Sequence, residues 1–185
     1  MNNFFNHLKI ISLHRKYVRK MCFKMGIPLQ GLLHDLSKYS ITEMSISKYY
    51  DGKRSPHEVV REKIGYSPSW LNHYHKNKHH WQFWLDIEDY PQKVKAIKMP
   101  YKYVVEMFCD MVGASKAYRK EKFMLGEPLK YYEEKCKGKR LMHEDSENLL
   151  VCLFVGLATS NSEADFLKIY KKHKREMQKN YGENK

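Results

Sequence analysis

The chain has 185 residues, of which 42% are hydrophobic, and this is enough for one domain with a buried core. Its 34 lysines and arginines outnumber its 21 aspartates and glutamates, so the net charge of +13 favours anionic partners: nucleotides, nucleic acid or acidic lipid. The four cysteines form no CxxC pair, which argues against a disulfide framework or a zinc knuckle.

The hydropathy pattern favours a protein of the cytoplasm without a membrane partner. No segment approaches the roughly 18 consecutive apolar residues that a spanning helix needs. At the N-terminus, His7, Lys9 and His14 interrupt any apolar core of a signal peptide. We expect an anionic, phosphate-containing small molecule as the partner, with nucleic acid as an alternative, and the oligomeric state stays open.

Helical patterns dominate the first fifty residues. Apolar residues at helical spacing predict a first helix from Phe4 to Met25, ended by Gly26. A proline favours the first turn of a helix, so Pro28 predicts that a second helix begins in PLQGLLHDLSKYS. Ser40 then caps a third helix in ITEMSISKYY, and the glutamate three residues later completes a capping box.

The rest of the chain also reads as helical. Glycines and prolines make residues 51–76 look irregular, and Asn77 is predicted to cap a helix in HHWQFWLDI. The longest helix is predicted from Tyr101 to Met124, and further helices are predicted over 128–137, 145–158 and 162–180. No alternation of β-branched residues is sustained, so no sheet is expected. We predict an all-α fold in one helical domain, residues 1–185, with a metal-site core over about 1–126 and C-terminal helices over 127–185.

Three polar residues stand where the helical pattern expects apolar ones. His14 lies three residues after Ile11 and four before Val18, in the middle of an apolar stripe. His34 and Asp35 directly follow Gly-Leu-Leu, and a carboxylate placed there needs a cation or several donors. On a helix, adjacent side chains diverge by about 100°, so such a pair can bind one metal ion. A lone histidine on such a stripe is usually a core residue, but the combination of His14 with His34 and Asp35 favours a metal site.

Two further features extend this set. The segment HYHKNKHH contains four histidines within eight residues, a composition that suits imidazole-binding metals, although Lys76 and Lys78 also fit a solvated basic loop. Asp110 lies in FCDMVGAS on the core-facing stripe of the longest predicted helix, where an aspartate is rarely unpaired. Glu106, one turn earlier, either shares that face or lies on the surface.

The order of these residues resembles the H…HD…H…H…D signature of the HD-domain superfamily, and HDLSK is similar to its HD-x-x-K segment. The paired histidines followed by an aspartate one helix later are similar to the HD-GYP branch. The whole chain, notably HDLSKYS and NKHHWQFW, also resembles a bacterial and phage family of unknown function, DUF5662. The superfamily resemblance implies a helical, metal-dependent phosphohydrolase acting on a nucleotide, a cyclic nucleotide or a related phosphoester.

The resemblance also implies roles for individual residues. The expected metal ligands are His14, His34, Asp35, His73, His79, His80 and Asp110. They would hold one or two divalent transition ions of Mn, Fe, Zn, Ni or Co, and Asp35 is suited to bridge two of them. Asp35 and Lys38 are the expected catalytic residues. The lysines expected to attract substrate phosphate are Lys38, Lys76, Lys78 and Lys102.

Other interpretations remain open. One is a sponge-like protein that binds a nucleotide or nucleic acid without catalysis, and another is an oxygenase with an HD-like di-iron site. The aromatic residues around the histidines are predicted either to stack on a base or to pack in the core; they are Trp70, Tyr74, Trp81 and Trp84.

Overall fold

The computed structural model of the chain describes residues 3–50, 52, 55–90 and 92–182. Within these ranges, nine α-helices and one small hairpin form the fold, which confirms the all-α prediction. The helices are α1 (Asn3–Met25), α2 (Pro28–Leu33), α3 (Ile41–Met44), α4 (Pro56–Ile64), α5 (Pro68–Lys76), α6 (Tyr101–Arg119), α7 (Glu127–Lys135), α8 (Glu144–Ala158) and α9 (Glu163–Tyr181). Short 3-10 turns cover Leu36–Tyr39, Ser45–Tyr49, Trp81–Trp84 and Lys120–Lys122.

The core is built around α1 and α6, which pack along each other. Helices α2 and α9 pack on α1, while α7 and α8 pack on α6. One hydrophobic cluster joins α1, α6, α7, α8 and α9, with Val18 of α1, Phe108 of α6, Leu150 of α8 and Phe166 of α9 all buried in it. The cluster therefore runs through both the predicted metal-site core and the predicted C-terminal helices.

Several predicted helix ends are confirmed, and others are corrected. Gly26, at a φ of 74°, ends α1, and the Ser40 hydroxyl accepts a hydrogen bond from the Glu43 N–H at the start of α3. The prediction that the longest helix runs from Tyr101 to Met124 is wrong. Helix α6 ends at Arg119 because Lys120 adopts a φ of 53°, and at 19 residues α6 is shorter than the 23 residues of α1.

The prediction that residues 51–76 are irregular is also wrong, because α4 and α5 lie there. Pro56 and Pro68 each occupy the first turn of a helix, where a missing N–H costs nothing. Gly65, at a φ of 82°, ends α4. The prolines and glycine that suggested loops therefore mark helix ends.

The expected helix in HHWQFWLDI is replaced by a 3-10 turn and an antiparallel hairpin. Strand β1 (Leu85–Asp89) pairs with β2 (Gln92–Ala96), and Leu85 lies opposite Ala96. Most side chains of the hairpin are exposed, so it carries little of the apolar alternation that normally marks a strand. In addition, Asn77 follows the end of α5 instead of capping a new helix.

Among the described residues, no helix combines the length and the apolar character that crossing a membrane requires.

Candidate metal centre

The centre is organised by the turn that ends α2. His34 leaves the helix, and Asp35 adopts a φ of 54° in the left-handed region, which costs a non-glycine residue about 1–3 kcal/mol. The Arg15 guanidinium holds the turn by donating from Nε to the His34 carbonyl oxygen at 2.8 Å. Asp35 is fully buried as a result. The prediction of a helix continuing through HDLSKYS is therefore wrong, since the break is what brings this carboxylate into the bundle.

One side of Asp35 faces a group of three ligand-type side chains. Its Oδ2 lies 3.5 Å from His14 Nε2 and 3.3 Å from His34 Nε2. Asp110 Oδ1 lies 3.1 Å from His14 Nε2 and 3.4 Å from His34 Nε2. With metal–ligand bonds of about 2.0–2.1 Å, the edges of a tetrahedron measure about 3.3–3.4 Å. The spacing of these four atoms therefore matches the shell of one metal ion.

The other side of Asp35 faces a second group. Its Oδ1 lies 3.3 Å from His73 Nε2 and 3.5 Å from His79 Nε2. His80 completes a set whose ligand atoms all lie within 4.8 Å of one another. The two oxygens of one carboxylate thus serve two groups, and each group can hold a metal ion.

Several polar atoms in these groups are buried without a well-directed hydrogen bond. Among the described residues, these include Oδ1 of Asp35 and the Nε2 atoms of His79 and His80. An unsatisfied buried polar atom costs about 1–3 kcal/mol, so it is rarely retained without a ligand or another partner. Histidine nitrogens and carboxylate oxygens are the donor set that divalent transition ions prefer. The residues present therefore fit a metal.

Two buried glutamates orient the histidines. Glu106 Oε1 lies 3.0 Å from His34 Nδ1 and 3.2 Å from His79 Nδ1, so a single oxygen can accept from a histidine of each group. Glu43 Oε2 lies 2.7 Å from His73 Nδ1. An Nδ1–H bound to a carboxylate leaves Nε2 as the ligand nitrogen. These contacts direct all three Nε2 atoms at Asp35.

The charges at the centre suit a cation. Burial opposes ionisation of Asp35, but His34, Lys38 and His73 hold the pKa of its carboxyl well below its usual range. Burial also opposes ionisation of Asp110, and hydrogen bonds from His14 and His34 hold its pKa well below normal. Both carboxyl groups are therefore anionic at neutral pH.

His80 and Lys38 differ in charge: the imidazole is neutral and the ammonium is cationic. Burial lowers the pKa of His80 well below its usual value, which keeps the imidazole neutral. Burial also opposes the charge of His34, but Asp35, Asp110 and Glu106 raise its pKa well above the usual value. Lys38 Nζ lies 2.7 Å from Asp35 Oδ2. Burial opposes its charge, but Asp35 and Asp110 raise its pKa, so the ammonium stays cationic.

Helices α1 and α6 meet closely at Gly113, next to the centre. A Cβ built on Gly113 would lie 2.4 Å from Val18 Cγ2 and 3.1 Å from the Val18 backbone nitrogen. His14 and Asp110 lie one turn before Val18 and Gly113 respectively. The absence of a side chain at Gly113 therefore allows the helix approach that brings His14 and Asp110 together.

Comparison with known proteins identifies the family. The sequence model of a family of unknown function (DUF5662) matches residues 3–154. The chain belongs to this family. No curated protein and no solved structure matches it.

In this DUF5662 chain, the structure brings together all seven expected ligands and Lys38. It leaves the other expected phosphate-binding lysines on the surface. The ammonium groups of Lys78 and Lys102 lie over the rings of Phe83 and Tyr103, and Lys76 is exposed on α5.

The aromatic residues near the histidines divide into two sets. Trp81 and Trp84 pack against the hydrophobic core, which fits the core-packing interpretation. Trp70 lies beside the centre, with its ring centroid 5.4 Å from that of His73 and 4.9 Å from that of His80.

Sequence reasoning missed the role of Glu43 and left that of Glu106 open. Glu43 has the spacing of a capping-box residue, and its burial against His73 depends on α5, which was not predicted. Glu106 precedes Asp110 by one turn on the same helix, and this spacing was the available signal.

Proposed function

We propose that the chain is a metal-dependent phosphohydrolase with a two-metal centre bridged by Asp35. The proposed substrate class is a nucleotide, a cyclic nucleotide or a related phosphoester. The single observation that carries the proposal is the division of the Asp35 oxygens between two groups of ligand-type side chains. The resemblance of the residue order to the HD-domain superfamily supports it, as does the net charge of +13.

The ligand assignments follow from the two groups. His14, His34 and Asp110 would hold one ion, His73, His79 and His80 the other, and Asp35 both. Bound divalent ions of Mn, Fe, Zn, Ni or Co would supply Lewis acidity and lower the pKa of a water molecule towards neutrality. Glu106 and Glu43 accept hydrogen bonds from Nδ1–H of their histidines. The proton stays on Nδ1, so each Nε2 lone pair faces the centre.

The open side of the centre fits an anionic substrate. The side chains of Asp110 and Lys38 are 20% and 23% exposed, whereas those of Asp35, His34, His73 and His79 are at most 1% exposed. A phosphate group approaching from solvent would therefore meet Asp110 and the cationic Lys38 before the buried side chains. Lys38 would orient and neutralise the phosphate beside the bridging carboxylate. Lys76, Lys78 and Lys102 would contribute only long-range attraction.

Substitution of Asp35 and Lys38 tests this function. Asp35→Ala should abolish phosphoester hydrolysis because it removes the shared ligand. Lys38→Ala should keep the metal content and lower kcat/KM by about 10- to 100-fold, since a charge-assisted contact to phosphate is lost. Lys168→Ala on α9 is the matched control and should keep full activity. The substrates to assay, with Mn²⁺ added, are nucleoside mono- and triphosphates, cyclic dinucleotides and short oligonucleotides.

Two results would favour the other interpretations. Recovery of intact ligand from a metal-loaded complex, with affinity unchanged in Asp35→Ala, would identify a sponge-like binding protein. A mixed-valence di-iron centre that consumes oxygen and leaves every phosphoester intact would identify an oxygenase.

A further inference from the structure

The short segment that carries His34 and Asp35 presents an unusual apolar surface to solvent. Leu29, Leu32, Leu33 and Leu36 have the i, i+3, i+4, i+7 spacing that normally marks the buried side of a helix. In the structure they are exposed by 60%, 49%, 56% and 49%. We call these four residues the leucine stripe.

The packing of α2 explains the orientation of the first three leucines, since Leu36 lies in the 3-10 turn beyond the break at Asp35. Gly31 is the buried residue of the helix, and a Cβ built on it would lie 2.7 Å from Cys22 Cβ and 3.2 Å from the Arg19 carbonyl oxygen. Helix α2 therefore packs on α1 through its glycine and turns its leucines outward. Apolar residues nearby in the sequence are exposed as well: Phe23 by 51% and Ile41 by 91%.

The stripe lies in a strongly basic part of the chain. The first fifty residues contain eight lysines and arginines but only two acidic residues, Asp35 and Glu43, and both of these are buried. Arg15 donates to the Leu32 carbonyl oxygen at the end of α2, and the exposed Arg19 lies against Gly31. Part of this charge is neutralised from outside the segment, since Lys24 pairs with Glu163 of α9. No described acidic side chain of the segment itself is exposed.

We propose that the leucine stripe docks on an anionic membrane surface. Leucine side chains of a short helix enter the boundary between head groups and acyl chains, and each basic residue near the surface is attracted to anionic lipid. Such contact needs no spanning helix. It departs from the expectation that membranes are not partners, and it does not depend on the proposed enzymatic function.

Two features favour a lipid surface over a macromolecule. Four leucines are few beside the roughly 20–30 residues that each partner contributes to a stable protein complex. In a symmetric contact between two copies, the basic flanks would also face each other without exposed acidic partners from this segment. Nucleic-acid binding would use the basic residues but would leave the leucines without a role.

Vesicle flotation tests the proposal on the full chain. We expect the protein to float with phosphatidylcholine vesicles that contain phosphatidylglycerol and to stay behind with pure phosphatidylcholine. The double substitution Leu29→Gln and Leu32→Gln should lower the affinity about tenfold or more at unchanged charge. Ile169→Gln, which removes a 57% exposed side chain of α9, should leave it unchanged.

A second measurement does not depend on removing leucines. After the signal of the native tryptophans is subtracted, Leu33→Trp should lose fluorescence on vesicles with brominated acyl chains. Ile169→Trp should not lose fluorescence on the same vesicles. The proposal is overturned if the wild-type protein fails to bind the anionic vesicles, or if the leucine double variant binds them as well as the wild type. The proposal is also overturned if the protein forms a dimer that the double substitution dissociates. Binding to RNA but not to vesicles, unchanged in the double variant, would overturn it as well.

Discussion

Glu106 and Glu43 decide which nitrogen of His34, His73 and His79 is free to bind a metal. The Nδ1 atoms of His34 and His79 both contact Glu106 Oε1, and that of His73 contacts Glu43. Partners of this kind, placed behind the ligands, fix the ring orientation and raise the basicity of the ligand nitrogen. Since Glu106 serves both groups, it links the two proposed ion sites.

Substitution of Glu106 should therefore weaken both sites together. Glu106→Ala is expected to lower metal affinity by about 10- to 100-fold at each site. Glu106→Gln should cost less, because the amide oxygen still accepts from Nδ1–H but lacks the negative charge. Competition with a coloured chelator measures the two affinities. Glu88→Gln, in the exposed hairpin, is the matched control, and a loss confined to one site would contradict the shared role.

The candidate ligands gave clearer signals in the sequence than the residues behind them. His14, Asp35 and Asp110 each interrupt an apolar pattern, so the sequence alone indicates a polar residue among core positions. Glu43 and Glu106 gave weaker signals, because a glutamate early in a helix or one turn from another acid has ordinary surface explanations. Their function depends on which histidine packs against them, and that contact is tertiary.

At the level of elements, the close approach of α1 and α6 sets the position of the first ligand group. Val18 and Gly113 make this contact, and His14 and Asp110 lie one turn away from it. The sequence predicted both helices but gave no sign of the glycine contact between them.

Gly113→Ala should force the two helices apart. The new Cβ would lie 3.1 Å from the Val18 backbone nitrogen, and a backbone atom cannot move aside as a side chain can. We expect a loss of about 1–3 kcal/mol in the free energy of unfolding. Metal affinity should fall more at the group that contains His14 and Asp110 than at the other. Urea unfolding and chelator competition measure these effects.

Gly156→Ala in α8 is the control for this substitution. Its new Cβ would meet Phe166 at 3.5 Å, an ordinary contact, so the gain of about 1 kcal/mol in helix propensity should make it neutral or stabilising. Similar destabilisation by both substitutions would contradict the steric explanation.

Prediction of elements failed where proline, glycine or tertiary contact decided the outcome. Pro56, Pro68 and Gly65 suggested loops. In the structure, the two prolines begin α4 and α5, and Gly65 ends α4. The sequence pattern did not predict the hairpin because its five-residue strands are largely exposed. They show little of the alternation that identifies a half-buried strand. The break at Asp35 was invisible for a different reason, since its left-handed conformation depends on buried surroundings.

At the scale of the whole molecule, the proposed centre joins distant parts of the chain. The turn after α2 brings Asp35 to His14 of α1 and Asp110 of α6, and to His73 of α5 and His79 beyond it. Ions bound there would tie these elements together. Binding to the folded state alone stabilises a protein by about 2.7 kcal/mol when the free ligand is at 100 times its Kd. Metal binding and folding should therefore be coupled in this chain.

A two-ion centre bridged by Asp35 is tested most directly by the number of metal ions bound per chain. Elemental analysis after loading with Mn²⁺ or Zn²⁺ and removal of excess metal should give two ions in the wild type. It should give one in His14→Ala and one in His73→Ala, while His75→Ala, at an exposed histidine of α5, should keep both. Asp35→Ala should retain less than one ion. A folded wild-type chain that binds no metal, or that binds a single ion lost equally in His14→Ala and His73→Ala, would contradict a two-ion centre bridged by Asp35.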